Sequence, residues 1–151
     1  MSRRRRAREH ALKALFYVEA ADRPPAEALD LFAEHFPPEP EIADFYFQLA
    51  DGVLSRQEEL DALITAHSKN WRLSRMSGVD RNILRIAVYE LLFQSDIPPR
   101  VTINEAVEIG KKYGSDESGA FVNGILDAVR LDLEKRGLAA PDRPGEAGGD
   151  P

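Results

Sequence analysis

Apolar residues recur at spacings of three and four along almost the whole chain, which is the period of an amphipathic α-helix. The longest stretch of alternating apolar and polar residues is Val101-Thr102-Ile103, which is too short for a convincing strand. Proline pairs and polar segments interrupt the helical pattern at intervals. The pattern therefore predicts an all-α protein.

The first half of the chain divides at its prolines. A first helix is expected to run to about Ala21, a second to begin at Pro25, and a third to cover the apolar stripe at 42–53. Ser55 and Glu58 have the spacing of a capping box, which predicts the start of a fourth helix there. One long bent helix fits the same pattern, so the pattern leaves both arrangements open.

The second half follows a polar joint at 68–78. A fifth helix at about 79–95 is apolar nearly all round, which is typical of a helix at the centre of its domain. A sixth helix is expected to open with a capping box at Thr102 and to end at Gly114. A seventh is expected to end near Gly137.

These helices predict one helical domain followed by a tail. The predicted parts are the domain at 1–137, its subdomains at about 4–68 and 69–137, and a disordered Gly/Pro-rich tail at 138–151. Gly110 and Gly124 fall inside helices, where glycine costs about 1 kcal/mol relative to alanine. Each therefore suggests a close contact with another helix.

Charge is distributed unevenly along the chain. Residues 1–13 contain six cationic side chains and one carboxylate, so they carry +5, although the whole chain carries −6. Such an arginine cluster beside an acidic body indicates contact with a localised polyanion, because attraction between charges is screened beyond about 8 Å at physiological salt. RNA is the first candidate. A solvated terminus or a targeting tag is the alternative.

The usual catalytic and metal-binding patterns are absent from the sequence. There is no cysteine, which excludes disulfides and thiolate metal sites, and the three histidines lack metal-ligand spacing. No glycine-rich phosphate loop or nucleophile elbow occurs. We therefore expect no catalytic residue, no metal and no cofactor. No apolar run is long enough for a signal peptide or a membrane span, which favours a cytoplasmic protein with no membrane contact.

Two parts of the second half could contact a ligand. Arg81 and Arg85 lie four residues apart and so share one stripe of the fifth helix, just after Asp80. Ordinary arginines paired with acidic neighbours are the alternative. Phe121 stands near the start of the seventh helix, where it is either a core residue or a platform for an RNA base, and Asn123 can pair with base edges.

Short motifs are spread in a fixed order from Arg4 to about Leu133. They are Arg4-Arg5-Arg6-Ala7-Arg8-Glu9, Asp80-Arg81, Leu84-Arg85-Ile86-Ala87, Tyr89-Glu90-Leu91, Ile97-Pro98, Ile103-Asn104-Glu105-Ala106-Val107-Glu108 and Phe121-Val122-Asn123-Gly124. Their order and spacing resemble the bacterial NusB family of transcription antitermination factors. The resemblance implies an all-helical fold of two three-helix subdomains with an additional short helix.

The resemblance also implies partners. Members of the family bind the boxA element, a single-stranded RNA of nascent ribosomal RNA leaders, together with the small-subunit ribosomal protein NusE. They belong to an antitermination complex of RNA polymerase with other Nus factors. Two alternatives are a helical adaptor that binds only proteins and the RNA-binding accessory domain of a ribosomal RNA methyltransferase. The sequence does not indicate an oligomeric state.

Residue roles follow from the resemblance motif by motif. The implied RNA-contacting residues are Arg4, Arg5, Arg6, Arg8, Arg85 and Phe121, with Arg81 and Asn123 as nearby extensions. The implied NusE-docking residues are Phe16, Asp80 and Leu84. The family often has tyrosine at the position of Phe16, so one hydroxyl hydrogen bond to NusE is missing here.

Overall fold

The computed structural model describes residues 2–138, which form seven α-helices and one short 3₁₀ helix. The helices are α1 (Arg3–Ala20), α2 (Pro25–His35), α3 (Ala43–Ser55), α4 (Gln57–Ala66), α5 (Gly78–Phe93), α6 (Pro99–Tyr113) and α7 (Ser118–Lys135), with the 3₁₀ helix at Leu73–Arg75. Residues 2–138 contain no strand, so the predicted all-α fold is confirmed. The predicted tail at 138–151 lies outside the described residues, apart from Leu138.

Helix α5 is the centre of the packing. It contacts α1, α3, α4, α6 and α7, and its side chains Ile83, Leu84 and Val88 are buried. The helix is apolar nearly all round because it has neighbours on nearly every side. Helices α1, α2 and α3 pack together, as do α5, α6 and α7, and α4 lies against α5. This packing agrees with two three-helix groups and an additional helix, while the boundary near residue 68 stays a prediction.

The predicted capping box at the start of α4 is wrong. Ser55 is the last residue of α3, and its hydroxyl donates to the carbonyl of Asp51 four residues earlier. Helix α4 begins at Gln57, after Arg56 leaves the helical conformation with φ of −118° and ψ of 16°. The two helices are therefore separate, which settles the choice between a break and a bend.

The predicted start of α6 is also wrong. The helix begins at Pro99, three residues before Thr102. Proline is favourable at the first helical position because the N–H that it lacks would have had no partner within the helix. Thr102 is buried, and its hydroxyl donates to Glu90 of α5 over 3.1 Å. The hydroxyl thus forms a contact between helices and does not cap a helix.

Serine side chains cap α1 and α5. The hydroxyl oxygen of Ser2 accepts a hydrogen bond from the N–H of Arg5, and that of Ser77 accepts one from the N–H of Asp80, each over 3.0 Å. Each bond satisfies one backbone donor that a helix N-terminus leaves unpaired. Since Ser2 caps α1, the arginine run from Arg3 onward belongs to an ordered helix.

Of the two glycines expected at close helix contacts, only Gly110 lies in one. A Cβ at Gly110 would lie 3.6 Å from the Cβ of Ser118 at the start of α7, which is an ordinary packing distance. At Gly124 a Cβ would meet nothing within 4 Å, so the prediction for that position is wrong. Nothing in the structure explains why Gly124 is a glycine.

Candidate nucleic-acid interface

The arginines at the start of α1 reach the surface, but several are paired with carboxylates. Arg4 lies 3.2 Å from Asp96, and Arg6 lies 2.6 Å from Glu39 and 3.2 Å from Glu41. All three carboxylates are exposed, and hydrogen bonds to Glu39 and Glu41 raise the pKa of Arg6. Because exposed ion pairs contribute about 0–1 kcal/mol, a phosphate can replace these carboxylates at small cost.

Arg3 and Arg5 extend this cationic end of α1. Arg3 is exposed and forms no ion pair among residues 2–138, although the sequence pattern did not single it out as a site residue. Its place in the arginine run was the available signal. Arg5 is half-buried, and its Nε donates to Glu105 over 2.9 Å. The hydrogen bond to Glu105 raises the pKa of Arg5.

Arg8 lies inside the protein, with 2% of its surface exposed. Its Nε and Nη2 each donate to one carboxylate oxygen of Glu90 over 2.8 Å, and its Nη1 donates to Glu105 over 3.3 Å. The guanidinium therefore connects α1 to both α5 and α6. In this structure it does not face the surface on which an RNA contact was expected.

The stripe of Arg81 and Arg85 on α5 also faces carboxylates. Arg85 is buried and donates from Nε and Nη2 to the two oxygens of Asp61 over 2.7 and 3.0 Å. Arg81 lies 2.6 Å from Glu19 and donates from Nη1 to two backbone carbonyls beside the 3₁₀ helix. These bonds fasten α5 to α1, α4 and the 3₁₀ helix. They match the alternative of ordinary paired arginines.

A cluster of two lysines and a tyrosine lies between α1 and α6. The ammonium groups of Lys13 and Lys112 are 5.6 and 5.2 Å from the ring centre of Tyr113, within the usual range of a cation–π contact. Glu9 accepts hydrogen bonds from Lys112 over 2.9 Å and from the Tyr113 hydroxyl over 2.6 Å. The hydrogen bond to Glu9 raises the pKa of Lys112. Burial raises the pKa of Tyr113, and the hydrogen bond to Glu9 raises it further. The sequence pattern did not reveal this cluster.

A cleft of about 250 Å³ opens where the N-termini of α5 and α7 approach the 3₁₀ helix. Its lining includes Trp71, Arg75, Asp80, Ser115, Glu117 and Phe121. The ring centres of Trp71 and Phe121 lie 6.1 Å apart with their planes at 78°. Phe121 therefore adjoins a second aromatic side chain, that of Trp71. The sequence pattern had assigned Trp71 to the polar joint and given it no role at the site.

The remaining predicted site residues are distributed between surface and core. Asn123 is exposed on α7 but does not line the cleft. Phe16 is 49% exposed, and its ring lies over the start of α5, where a Cβ at Gly78 would be only 2.9 Å from it. Asp80, one of the expected docking residues, lines the cleft beside Phe121. Leu84 is 0% exposed and offers no surface for a partner to contact.

The arrangement offers binding chemistry. Exposed guanidinium and ammonium groups attract phosphates, and exposed aromatic faces stack with bases. Among residues 2–138, no group of three or more histidine, aspartate or glutamate side chains is placed to hold a metal ion. No helix in the described part of the chain is long and apolar enough to cross a membrane.

Comparison with known proteins gives consistent relatives. The model of the NusB family matches residues 5–130. The transcription antitermination protein NusB of Desulfatibacillum aliphaticivorans is 56% identical over 143 residues, which cover 95% of this chain and 100% of that protein. The NusB protein of Myxococcus xanthus strain DK1622 is 48% identical over 139 residues, covering 89% of this chain and 99% of the relative.

Solved structures agree with these relatives. A crystal form of T. maritima NusB superposes with a TM-score of 0.77 at 40% identity and covers 89% of this chain and 97% of its own. A crystal structure of the antitermination factors NusB and NusE in complex with double-stranded RNA gives a TM-score of 0.75 at 28% identity, covering 86% of this chain and 97% of the matched chain.

Proposed function

Because the chain belongs to the NusB family of transcription antitermination proteins, we propose that it binds the boxA element of nascent ribosomal RNA leaders together with NusE. The family binds RNA and protein and is not a family of enzymes. In this proposal the protein works in the cytoplasm, within an antitermination complex of RNA polymerase and other Nus factors. The related structure that contains NusB, NusE and RNA supports the choice of both partners.

The observation that carries the proposal is a series of cationic and aromatic side chains along α1, α6 and the start of α7. The exposed Arg3 and the half-buried Arg4, Arg5 and Arg6 begin α1, and Lys13 lies farther along the same helix beside Tyr113. Tyr113 ends α6 two residues before Ser115, which lines the cleft at Phe121. Phosphates would bind the cations, and an unstacked base would lie against Phe121.

The buried arginines have a different role in this proposal. Arg8 and Arg85 hold their carboxylate partners inside the fold, so they fix the shape of the surface without touching RNA. Arg81 does the same at the 3₁₀ helix, where it donates to the backbone carbonyls of Leu73 and Met76. The direct phosphate contacts then belong to the arginines that reach the surface, Arg3, Arg4, Arg5 and Arg6.

We place the NusE contact at the exposed ring of Phe16 and the start of α5 beside it. An aromatic side chain that is 49% exposed is a typical anchor of a protein interface. Gly78 allows the Phe16 ring to lie directly on α5, two residues before Asp80. RNA and NusE would therefore occupy adjoining surfaces.

Fluorescence titration of labelled boxA-like and scrambled RNAs tests the proposal. We expect boxA-like RNA to bind more tightly than scrambled RNA, and NusE to increase the difference. With about four phosphate contacts, the log–log dependence of affinity on salt should have a slope near −3, from about −0.7 per contact. Failure to bind either RNA under any condition would support an adaptor that binds only proteins.

Replacing Arg4 and Arg6 together with glutamine is expected to weaken all single-stranded RNAs by a similar factor. The reason is that phosphate contacts carry no sequence information. The salt slope should become shallower by about 1.4, from two lost contacts at about −0.7 each. The carboxylates of Asp96, Glu39 and Glu41 are exposed, so loss of these three ion pairs leaves no buried unpaired charge among them.

Arg23→Gln combined with Arg136→Gln is the matched control for this double variant. Both arginines are exposed and pair with carboxylates four residues away on the chain, at the start of α2 and the end of α7. This control removes the same net charge but should change RNA affinity and salt slope little. Equal effects of the two double variants would attribute the binding to net charge and not to the start of α1.

Phe121→Leu is expected to weaken boxA-like RNA about 10-fold and scrambled RNA less, because stacking of one base on an aromatic ring contributes about 1–3 kcal/mol. Leucine preserves the apolar contact with Trp71 while removing the flat ring face. The measurement is the ratio of the two RNA affinities at one salt concentration. An equal loss for both RNAs would contradict a base contact at Phe121.

A further inference from the structure

A cleft of about 410 Å³ opens between the start of α2 and the end of α3. Pro25, Leu29 and Leu54 give it apolar walls, and Asp30 of α2 and Asp51 of α3 add two carboxylates to the lining. Partial burial raises the pKa of Asp51, and repulsion from the Asp30 carboxylate raises it further. A cation between the two carboxylates would relieve this repulsion.

The cleft continues as a groove between α2 and α3, towards the turn that joins them. Residues four apart share one side of a helix, so Glu34 lies on the side of α2 that carries Asp30. By the same spacing, Phe47 and Asp51 share one side of α3, and Asp44 lies three residues before Phe47. Phe47 is 39% exposed. None of these four carboxylates forms an ion pair within the described residues 2–138.

The charge of this α2–α3 groove indicates what it can bind. Residues 22–51 contain eight carboxylates and one arginine, so they carry −7, although the whole chain carries −6. Such a surface repels the phosphates of RNA and of anionic lipids. Carboxylates next to apolar walls and an exposed ring suit the side chain of arginine. Its methylene stem is apolar, and its guanidinium forms two parallel bonds to a carboxylate and stacks on aromatic rings.

The spacing along the groove matches an extended peptide. Alternate side chains of an extended chain lie about 6.6 Å apart on one side, close to the rise of about 6 Å between residues four apart on a helix. A second copy of this protein does not supply such a segment, because its arginine run from Arg3 onward belongs to the ordered helix α1. The occupant that fits is therefore an extended basic segment of another protein.

We propose that the α2–α3 groove binds an extended, arginine-containing segment of a protein partner. One arginine enters the cleft between Asp30 and Asp51, and another stacks on Phe47 at the level of Glu34. None of these residues is among those assigned above to RNA or to NusE. The inference therefore goes beyond the proposed function and does not depend on it.

Two capped synthetic peptides of equal charge test the inference on the intact protein. One alternates arginine with threonine and the other alternates lysine with threonine, each over about eight residues, which is long enough to follow the groove at about 3.3 Å per residue. We expect the arginine peptide to bind about 5-fold more tightly in anisotropy titrations, because lysine neither pairs in a bidentate manner nor stacks flat on a ring. Heteronuclear NMR should show the largest shifts in α2 and α3.

Asp30→Asn combined with Asp51→Asn should weaken the arginine peptide about 10-fold, since both charge-assisted contacts in the cleft are lost. Glu58→Gln combined with Asp116→Asn is the matched control. It removes the same charge from exposed carboxylates at the start of α4 and just before α7, and it should weaken the peptide less than about 2-fold. The groove variant removes a repulsion, so thermal unfolding should show a Tm no lower than that of the unmodified protein.

Phe47→Leu tests the stacking contact separately. We expect it to remove most of the preference for arginine over lysine while the lysine peptide binds nearly as before. Phe93→Leu is its control, because Phe93 is a similarly exposed ring, at 37%, on α5 and outside the groove. This control should keep the preference.

The outcomes that would overturn the inference are specific. Equal binding of the two peptides, or equal losses in the groove and control variants, would attribute binding to net charge. The largest NMR shifts outside α2 and α3, or displacement of the peptide by NusE, would place the contact elsewhere. Self-association that disappears with Asp30→Asn and Asp51→Asn would make a second copy the occupant. Groove-dependent peptide binding in a protein that fails to bind RNA would support the inference while the proposed function fails.

Discussion

Replacing Arg8 with methionine is expected to lower the free energy of unfolding by about 3–5 kcal/mol, because it removes the guanidinium that pairs with both carboxylate oxygens of the buried Glu90. Both side chains are almost completely buried, and each carboxylate oxygen of Glu90 accepts one bond of 2.8 Å from Arg8. The Thr102 hydroxyl also donates to Glu90, over 3.1 Å. Denaturant unfolding followed by circular dichroism measures the loss.

The double variant Arg8→Met with Glu90→Met is the informative control. Replacing both members of a buried ion pair with apolar residues is often neutral or stabilising, so we expect the double variant to regain most of the lost stability. The cavity beside the pair is only about 10 Å³, near the lower limit for one water molecule, so solvent does not readily replace the missing guanidinium. A loss below about 1 kcal/mol in the single variant would show that the pair contributes little.

The same variant tests the division of roles among the arginines. If Arg8 is structural, the RNA affinity of the folded fraction of Arg8→Met should stay nearly unchanged, and so should its salt slope. If Arg8 contacts phosphate, as the family resemblance implies, the slope should become shallower by about 0.7. Measurements well below the unfolding temperature of the variant keep the two effects apart.

The helical architecture was predictable because its signals are local. Prolines at 24–25 and 98–99 and the apolar periodicity locate α2, α5 and α6 to within a few residues. The capping boxes failed at Ser55 and Thr102 because both hydroxyls found partners elsewhere. The pair Ser77 and Asp80 has the same spacing, and there the serine does cap the helix. Ser77 stands at the end of the polar joint, so the joint located this helix start better than the capping-box spacing alone.

The carboxylates with which the buried arginines pair were not predictable from the sequence pattern. Arg8 pairs with a carboxylate 82 residues away and Arg85 with one 24 residues away. Such pairs depend on how helices pack, which the periodicity of each helix does not specify. Trp71 was not predicted as a site residue for the same reason, since its neighbour Phe121 lies on α7, 50 residues later in the sequence.

Leu84→Ala is expected to lower the free energy of unfolding by about 2–5 kcal/mol, the usual cost of truncating a fully buried leucine. Leu84 is 0% exposed on the central helix α5, where the five neighbouring helices leave little freedom to fill a cavity. For a chain of this size, a loss of about 3 kcal/mol lowers the Tm by roughly 6–12 °C. Thermal unfolding followed by circular dichroism measures this shift.

Phe16→Ala is the matched variant for Leu84→Ala, because the family resemblance implies that both residues dock NusE. Phe16 is 49% exposed, so its removal should change stability by less than about 1 kcal/mol, while NusE affinity should fall about 10-fold or more if its ring anchors the interface. In Leu84→Ala the folded protein should bind NusE almost normally. An equal loss of NusE affinity in both variants, at a temperature where both are folded, would show that α5 changes shape on binding and exposes Leu84.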